Sequence, residues 1–274
     1  MIGFLQEIFN LFKPHVTLDL RTHNGIAPKA RGIPAYKGDL SHCTDCKKCE
    51  AICPTHCIEV QSDKISFDYG ACLQCSLCSD VCENNSILES GFVDVYSARR
   101  DDLKVNYNSS GILESRKDLP EAMDILKDDP IYKLVHKNGF NFREVCAGSN
   151  TGVEWEIGAS YNNVFDMENI GVRVVASPKH ADILLVSGPI SENMHHGLNV
   201  AWDSMAKPRA IIAMGTEAVS GGLWKHGIFP ETPKFWIAGD PPRPDVMIRA
   251  FLTFMGRRDF DFKLKWLEFL KQGT

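Results

Sequence analysis

Short apolar segments recur along the second half of the chain. Four of them are rich in β-branched residues, namely VRVVAS, DILLVSGP, RAIIAMG and KFWIAG. Stretches with helical spacing of apolar residues, ENMHHGLNVAWDSMAK and RPDVMIRAFLTFM, lie between and after them. Buried strands that alternate with helices pair in parallel. The pattern therefore predicts an α/β doubly wound parallel-sheet domain of the flavodoxin-like kind over residues 126–274.

Four loops should meet at one edge of this sheet. Three of them, SGPISENM, GTEAVSGGLW and GDPPRPD, follow predicted strands, and the fourth is the glycine-containing AGSNTGVEWE. In doubly wound sheets the functional crevice lies beyond the carboxyl ends of the strands. We therefore expect the candidate site of this half at that edge.

The first half has a different pattern, in which short strand-like pieces such as CIEVQSDKISFDY surround two cysteine runs. Each run has the spacing C-x2-C-x2-C-x3-C. Three closely spaced thiolates converge on one cubane, and the fourth turns to the other cluster. The pattern predicts a small α+β ferredoxin-like two-cluster domain over residues 21–125. Zinc is the alternative for isolated C-x2-C pairs, but two complete runs favour iron.

We therefore expect two 4Fe-4S clusters with crossed ligand sets. Cluster 1 takes Cys43, Cys46, Cys49 and Cys82, and cluster 2 takes Cys72, Cys75, Cys78 and Cys53. Cys57 lies just outside its run, and we interpret it as a buried thiol of the apolar shell. Pro54 follows Cys53, whereas Glu83 follows Cys82, and we expect a looser turn there.

The remaining segments are less regular. Residues 1–20 predict an amphipathic N-terminal helix, which suits a membrane interface, a partner or its own domain. The segment has no features of a secretory signal, so we expect a cytoplasmic chain whose cysteines bind metal. The polar stretch from Ser90 to about Asn141 predicts a partly ordered connector with a helix from Pro120 to Leu126.

Composition and charge limit the partners. A chain of 274 residues with 44% hydrophobic residues has room for two globular domains. Its net charge of −5 does not favour nucleic acid, which needs a concentrated basic face. No apolar run approaches the roughly 20 residues that span a bilayer.

The loops of the second half resemble those of a known family. VRVVASPKHADILLVSGPISENM, GTEAVSGG and GDPPRP are similar to segments of the cluster-bearing small subunit of group 4 energy-converting NiFe hydrogenases. They are equally similar to segments of the 20 kDa-type subunit of respiratory complex I. The first half resembles the two-cluster ferredoxin-like subunit of the same complexes. The chain therefore looks like a fusion of two subunits.

The resemblance implies a third cluster site whose cysteines are lost. In the family, loop cysteines hold this cluster, but the matching positions here are Asn150, Val153, Glu217 and Asp240. Valine has no donor atom, and iron in such clusters favours sulfur. We predict that the fold of the site is retained and that its cluster is absent, and we call these four positions the vestigial site.

The acidic residues of the vestigial site need partners. We expect Arg243 to pair with Asp240 and to hold it ionised. A magnesium or calcium ion on Glu217, Asp240 and Glu154 or Glu156 is the alternative, because oxygen ligands suit hard cations. His180 and the adjacent His195 and His196 are better interpreted as hydrogen-bonded or surface histidines than as metal ligands.

The resemblance implies an electron-transfer subunit rather than a catalytic one. It would lie at the cytoplasmic face of a membrane-associated complex, as a peripheral subunit. Its expected partners are a large hydrogenase-like or complex I-like subunit, membrane subunits and an external electron-carrier protein. A structural adaptor between membrane subunits and a ferredoxin module is the main alternative. A soluble ferredoxin-dependent enzyme is weaker, since no pair of nucleophile and base is evident.

Overall fold

The computed structural model describes residues 17–20, 26–27, 29–113 and 124–272. Most of the predicted N-terminal helix and the segment next to the predicted boundary at residue 125 lie outside these ranges. Both therefore stay predictions.

The described residues of the first half form two small antiparallel sheets and three short α-helices. Its strands are β1 (Pro34–Tyr36), β2 (Ile58–Val60), β3 (Lys64–Asp68), β4 (Ile87–Glu89), β5 (Tyr96–Ser97) and β6 (Lys104–Asn108). Its α-helices are α1 (Cys43–Cys46), α2 (Lys48–Ile52) and α3 (Leu77–Asp80), and its 3-10 helices are Leu40–His42, Tyr69–Ala71 and Arg100–Leu103. Strand β1 pairs with β4, and β3 lies between β2 and β6.

The second half alternates strands with helices. Its strands are β7 (Phe140–Cys146), β8 (Val172–Val174), β9 (Ile183–Ser187), β10 (Ala210–Met214) and β11 (Phe235–Ile237). Its α-helices are α4 (Asp124–Lys127), α5 (Pro130–Asn138), α6 (Gly152–Ala159), α7 (Glu192–Asp203), α8 (Thr216–Ser220), α9 (Pro244–Phe254) and α10 (Phe262–Gln272). Two 3-10 helices, Met167–Ile170 and Pro178–His180, complete the half.

The strands of the second half form a parallel sheet in the order β8-β7-β9-β10-β11. Numbered from β7, this is the flavodoxin-type order, in which the chain changes direction between the first and third strands. The carboxyl ends of β7 and β9 therefore flank the crevice where such sheets bind their ligands. Strand β5 of the first half joins the sheet antiparallel to β11.

The predicted parallel sheet is confirmed, and the four predicted apolar segments all contain its strands. The central strand β7 was not predicted, because FNFREVC mixes polar with apolar residues. The connector is more ordered than its composition indicates, since it contains β5, β6 and the 3-10 helix between them. Its charged residues are misleading because Asp94 and Asp102 are buried, with exposures of 0% and 3%.

Proline and side-chain caps fix where several helices begin. Pro130 and Pro244 occupy the first turns of α5 and α9, where a proline removes no intrahelical hydrogen bond. Asp129 caps α5 by accepting from the Ile131 N–H at 3.0 Å. None of the helices in the described ranges is long and apolar enough to cross a membrane.

The C-terminal helix α10 packs against the first half of the chain. Trp266 is fully buried, donates from Nε1 to Tyr107 Oη at 2.8 Å, and meets Tyr69 and Phe92 edge to face. Such aromatic pairs contribute beyond their buried area. Helix α10 therefore contributes Trp266 to the aromatic core of the cysteine-bearing half.

A buried ion pair also joins the two halves. Arg249 of α9 donates from Nη2 to Asp94 Oδ1 at 2.7 Å and from Nη1 to Asp245 Oδ2 at 3.0 Å. Arg249 and Asp94 both have 0% exposure. A buried guanidinium with two carboxylate partners is strongly constrained in position, because leaving any partner unpaired is costly.

We predict that Arg249→Ala lowers the free energy of unfolding by about 3–5 kcal/mol, because it strands Asp94 as a buried charge. Urea unfolding followed by circular dichroism would measure the change. The matched control is Lys265→Ala, which removes the exposed pair between Lys265 and Glu268 on α10. That variant should lose less than about 1 kcal/mol. Equal losses in both variants would contradict a special role for the buried pair.

Candidate functional site

The two cysteine runs share left-handed residues at two matched positions, although Cys43–Cys46 is helical and residues 72–75 are not. Lys47 and Ser76, each next to the second cysteine of its run, are left-handed with φ of 45° and 66°. His56 and Asn85, each three residues after the fourth cysteine, both have φ of 51°. A non-glycine residue rarely adopts this conformation. Its recurrence at matched positions shows that the sequence repeat is also a structural repeat.

The repeat places a backbone donor on the fourth cysteine of each run. The Cys57 N–H donates to Cys53 Sγ at 3.3 Å, and the Ser86 N–H donates to Cys82 Sγ at 3.2 Å. Backbone N–H groups directed at sulfur stabilise thiolates and the clusters they bind. The sulfur of each fourth cysteine therefore accepts one backbone N–H at the same place in its run.

The thiols of the predicted cluster 1 are close enough to influence one another. Burial raises the pKa of Cys49 to about 11, and the neighbouring Cys43 and Cys82 raise it as well. Tyr36 Oη lies 3.3 Å from Cys43 Sγ. The hydroxyl can therefore donate to that sulfur once it is a thiolate. Lys48 near the first run and Glu83 after the second form a short, exposed ion pair across the two runs.

The thiols of the predicted cluster 2 line one cavity. Its wall contains Cys53, Cys72, Cys75 and Cys78, together with Cys57. Burial raises the pKa of Cys78 to about 12, with further contributions from Cys75, Cys49 and Cys53. The nearness of Cys53 to Cys78 is what a crossed ligand set requires. All ten cysteines are free thiols, so all eight candidate ligands are free to bind iron.

No group of three or more His, Cys, Asp or Glu side chains in the described ranges is spaced to hold a single metal ion. A cubane places its four thiolates on four separate irons, so its ligands stand farther apart than those of one ion. The donor set and cavity of the cysteine half fit a cubane in this respect.

The four loops of the second half converge at the carboxyl ends of β7 and β9. The Ser191 N–H donates to Ala147 O at 2.9 Å, and the Thr216 N–H donates to Gly239 O at 2.8 Å. A Cβ on Gly188 would lie 2.4 Å from Ser149 N, so this left-handed residue must be glycine. The loops form the crevice expected at the switch point of the sheet.

The structure brings the vestigial-site residues together. The Asn150 N–H donates to Glu217 Oε2 at 3.2 Å, and Asn150 Nδ2 donates to Asp240 Oδ1 at 3.3 Å. Val153 is buried, and its Cγ2 would lie 2.6 Å from a Cβ on Gly215. Hydrogen bonds therefore join Asn150, Glu217 and Asp240, and Val153 makes an apolar contact with Gly215.

The predicted partner of Asp240 was wrong. Arg243 forms its ion pair with Asp245, from Nε to Oδ1 at 3.1 Å, and Asn150 takes the place beside Asp240. Arg243 is the N-cap of α9 and Asp245 lies in its first turn, so the two are neighbours at the start of that helix. The buried Arg249 also binds Asp245, which makes Asp245 the favoured partner.

A half-buried hydroxyl and carboxylate network lies deeper in the crevice. Glu154 Oε1 accepts from Ser149 Oγ at 2.6 Å and lies 2.5 Å from Ser187 Oγ, which is also 3.0 Å from Glu144. Burial raises the pKa of Glu154, but the two hydroxyls outweigh it, so the pKa falls below its ordinary value. Burial, together with the charge of Glu154, raises the pKa of Glu144.

The vestigial site and the cysteine half are in direct contact. Thr216 Oγ1 donates to the carbonyl oxygen of Cys72 at 3.2 Å, in a buried position. Arg100 binds Asp68 through both Nη atoms at 2.8 Å and donates from Nε to Val219 O at 3.0 Å. Helix α8, which carries Glu217, is therefore fixed at both ends to the half that carries the cysteines.

Several of these contact residues were not identified from the sequence. Tyr36, Thr216 and Ser187 carry no spacing signal, and only the fold brings them to the sites. Ser86 could have been found, because it occupies the same place in the second run that Cys57 has in the first. Cys57 is buried as expected, with 7% exposure.

The chain is similar to known proteins mainly in its second half. Residues 146–254 match the family model described as the NADH ubiquinone oxidoreductase 20 Kd subunit. Formate hydrogenlyase subunit 7 of Escherichia coli is 33% identical over 133 residues, which cover 46% of this chain and 52% of that protein. The chain thus spans about half the length of that relative.

Two further similarities concern archaeal proteins. The probable membrane-bound hydrogenase subunit mbhJ of Pyrococcus furiosus is 32% identical over 39% of this chain and 68% of that protein. A chain in the structure of the membrane-bound sulfane sulfur reductase, an archaeal respiratory membrane complex, matches 53% of this chain and 90% of its own length. Its sequence identity is 16% and its TM-score is 0.36.

The pKa of Glu217 makes the contribution of the vestigial site to stability depend on pH. Burial and the charge of Asp240 raise this pKa, although the Asn150 N–H opposes the shift. A carboxyl group with a raised folded-state pKa contributes stability below its unfolded value of about 4.3 and loses it as pH rises through the folded value. We expect Glu217→Gln to raise the free energy of unfolding at pH 7 by up to about 1 kcal/mol, since the site is partly open to water. Near pH 4 it should have little effect.

Urea unfolding at pH 4 and at pH 7 would measure this difference. Glu231→Gln, at an exposed position on another loop, is the control and should change neither value. A loss of stability at pH 7 in Glu217→Gln would show that the ionised carboxylate is favoured in the site.

Proposed function

Because the chain belongs to the family of the 20 kDa subunit of NADH–ubiquinone oxidoreductase, we propose that it is an iron–sulfur electron-transfer subunit. It belongs to a membrane-associated complex related to respiratory complex I and group 4 NiFe hydrogenases. One chain combines a two-cluster ferredoxin-like domain with the small-subunit-like α/β domain. The domain boundary lies near residue 125.

The two sets of four thiols in the first half carry this proposal. Cys43, Cys46, Cys49 and Cys82 would hold cluster 1, and Cys72, Cys75, Cys78 and Cys53 would hold cluster 2. When bound, each cubane accepts and returns single electrons. Tyr36 and the N–H groups of Cys57 and Ser86 donate to the ligand sulfurs. Three of the four thiols in the second set are buried, which keeps water from that site.

The contact between Cys72 and Thr216 supports cluster 2 as the cluster nearer to the α/β half. A ligand of cluster 2 lies beside the α/β half, one residue from the vestigial position Glu217. With Asn150, Val153, Glu217 and Asp240 in place of thiolates, the vestigial site offers no sulfur ligand. We therefore infer that the chain holds no third cluster and that the relay ends at cluster 2. The electrons then pass to a partner other than a NiFe or quinone site beyond the vestigial pocket.

Exposed apolar side chains near the vestigial site support a protein partner. Trp224, which is close enough to Glu217 to lower its pKa, is 64% exposed, and Leu223 beside it is 59% exposed. Trp155 on α6 is 78% exposed. Large exposed apolar side chains mark interaction sites when they lie together. We assign this face to a large hydrogenase-like or complex I-like subunit, with membrane subunits and an electron-carrier protein as further partners at the cytoplasmic face of the membrane.

The loss of the third set of ligands also favours a second candidate, a structural adaptor. In that function the α/β half joins membrane subunits to the ferredoxin module, and no electrons pass to the large subunit. A redox titration of the purified complex separates the two functions. Clusters that turn over with a donor and an acceptor support the relay, and clusters that remain inert in the complex support the adaptor.

We predict about eight iron and eight sulfide per chain. Cys46→Ala and Cys75→Ala should each lower the iron content to about four, and should destabilise the first half because metal binding is coupled to folding. Cys146→Ser is the matched control, since Cys146 lies outside both runs, and its iron content should stay near eight. Wild-type iron near twelve would show that a third cluster survives.

We also predict that the vestigial site can be rebuilt. The combined substitutions Asn150→Cys, Val153→Cys, Glu217→Cys and Asp240→Cys should raise the iron content to about twelve, because four thiolates would again converge. A variant with only Asn150→Cys and Asp240→Cys should stay near eight. A folded four-cysteine variant with about eight iron would mean that the loops do not have the geometry of a cluster site.

A further inference from the structure

Cys57 is a fifth thiol in the cavity of cluster 2. Its Sγ lies 3.4 Å from Cys53 Sγ, and Cys72 lines the same cavity. Both neighbours belong to the ligand set of cluster 2. Cys57 has 7% exposure, so water does not compete for these contacts.

The chemistry of the loaded site fixes which sulfur donates. A ligand thiolate carries no proton, so Cys53 can only accept in this contact. A hydrogen bond over the 3.4 Å between the two sulfurs then requires the S–H of Cys57. The Cys57 thiol is therefore the donor. Thr55 Oγ1, at 3.6 Å from Cys53 Sγ, is a second and longer contact to the same sulfur.

The internal repeat shows that this donor belongs to one cluster only. Ser86 occupies the matching place beside Cys82, and its backbone N–H makes the same bond to sulfur. The Ser86 side chain lies instead against Gly38, where a Cβ would be 2.5 Å from Ser86 Oγ. The backbone donor is thus common to both clusters, whereas the buried thiol donor is specific to cluster 2.

We propose that Cys57 donates a hydrogen bond to Cys53 Sγ, a ligand sulfur of cluster 2, and raises the reduction potential of that cluster. This inference rests on the proposed function, since it requires the cluster to be present. Reduction adds negative charge that spreads onto the sulfurs, and a donor stabilises that charge. Burial of Cys53, Cys72 and Cys78 opposes the same charge, so the donor offsets part of the cost of burial.

The test is a dye-mediated redox titration of the full-length holoprotein, followed by electron paramagnetic resonance, with iron content measured in parallel. Cys57→Ala removes the donor, and the equilibrium constant for one-electron reduction of one cluster should fall about threefold to tenfold. A tenfold fall is a shift of about 59 mV to more negative potential. Cys57→Ser keeps a hydroxyl donor and should have a potential at or above the wild-type value. Ser86→Ala, at the matching place of the repeat, should leave the potential of cluster 2 unchanged.

The reduction potentials of the variants distinguish hydrogen-bond donation by Cys57 from a packing effect. An unchanged potential in Cys57→Ala with about eight iron would overturn it and leave the proposed function intact. Equal negative shifts in Cys57→Ala and Cys57→Ser would also overturn it, because packing rather than donation would then be the cause. If Cys57→Ala assembles only one cubane, the reduction potential of cluster 2 in Cys57→Ser is the test. A more negative potential than that of the wild type would then contradict the donor role. Wild-type protein without a second cubane would overturn the proposed function and this inference together.

Discussion

The buried contact of Asp94 with Arg249 holds the two halves of the chain together. Asp94 lies just before β5, and Arg249 lies on the helix that covers the sheet, so one guanidinium joins both halves. A buried charge must keep its partners, since any separation would leave it uncompensated. The pair therefore requires β5 to stay at the edge of the parallel sheet. As a result, the cysteine-bearing half cannot rotate away from the α/β half without breaking this pair.

The fixed contact between the two halves determines which of their sites lie next to each other. Because the halves are fixed, the Cys72 carbonyl remains in contact with Thr216, and the cysteine cavity remains beside the vestigial site. A relay between two separate subunits would need a docking step to bring its clusters together. In the proposed function no docking step is needed, because the fold itself holds the two halves in contact. In the proposed function, Glu217 and Asp240 in place of thiolates would change the route of the electrons without changing how the halves are joined.

The sequence predicts those parts of the structure whose signal is local. The strands β9, β10 and β11 are continuous apolar runs, and the cysteine spacing is regular. Both features can therefore be recognised from the sequence alone. Partners that lie far apart in sequence cannot be found in this way, and Asp94 and Arg249 are 155 residues apart. The error over Arg243 has the same origin. Closeness in sequence suggested Asp240, but the first turn of α9 places Asp245 beside it and Asn150 beside Asp240.

The retained shape of the vestigial site follows from its charge as well as its fold. A cubane with four thiolates carries net negative charge, and the loops around it must supply N–H donors. Glu217 and Asp240 put negative charge in the same place, and Asn150 donates to both from its backbone and side-chain amides. Under the proposed function, carboxylates stand where the family has thiolates, and the amides of Asn150 meet acceptors there without an iron–sulfur cluster. Val153 fills apolar space against Gly215 in the same crevice.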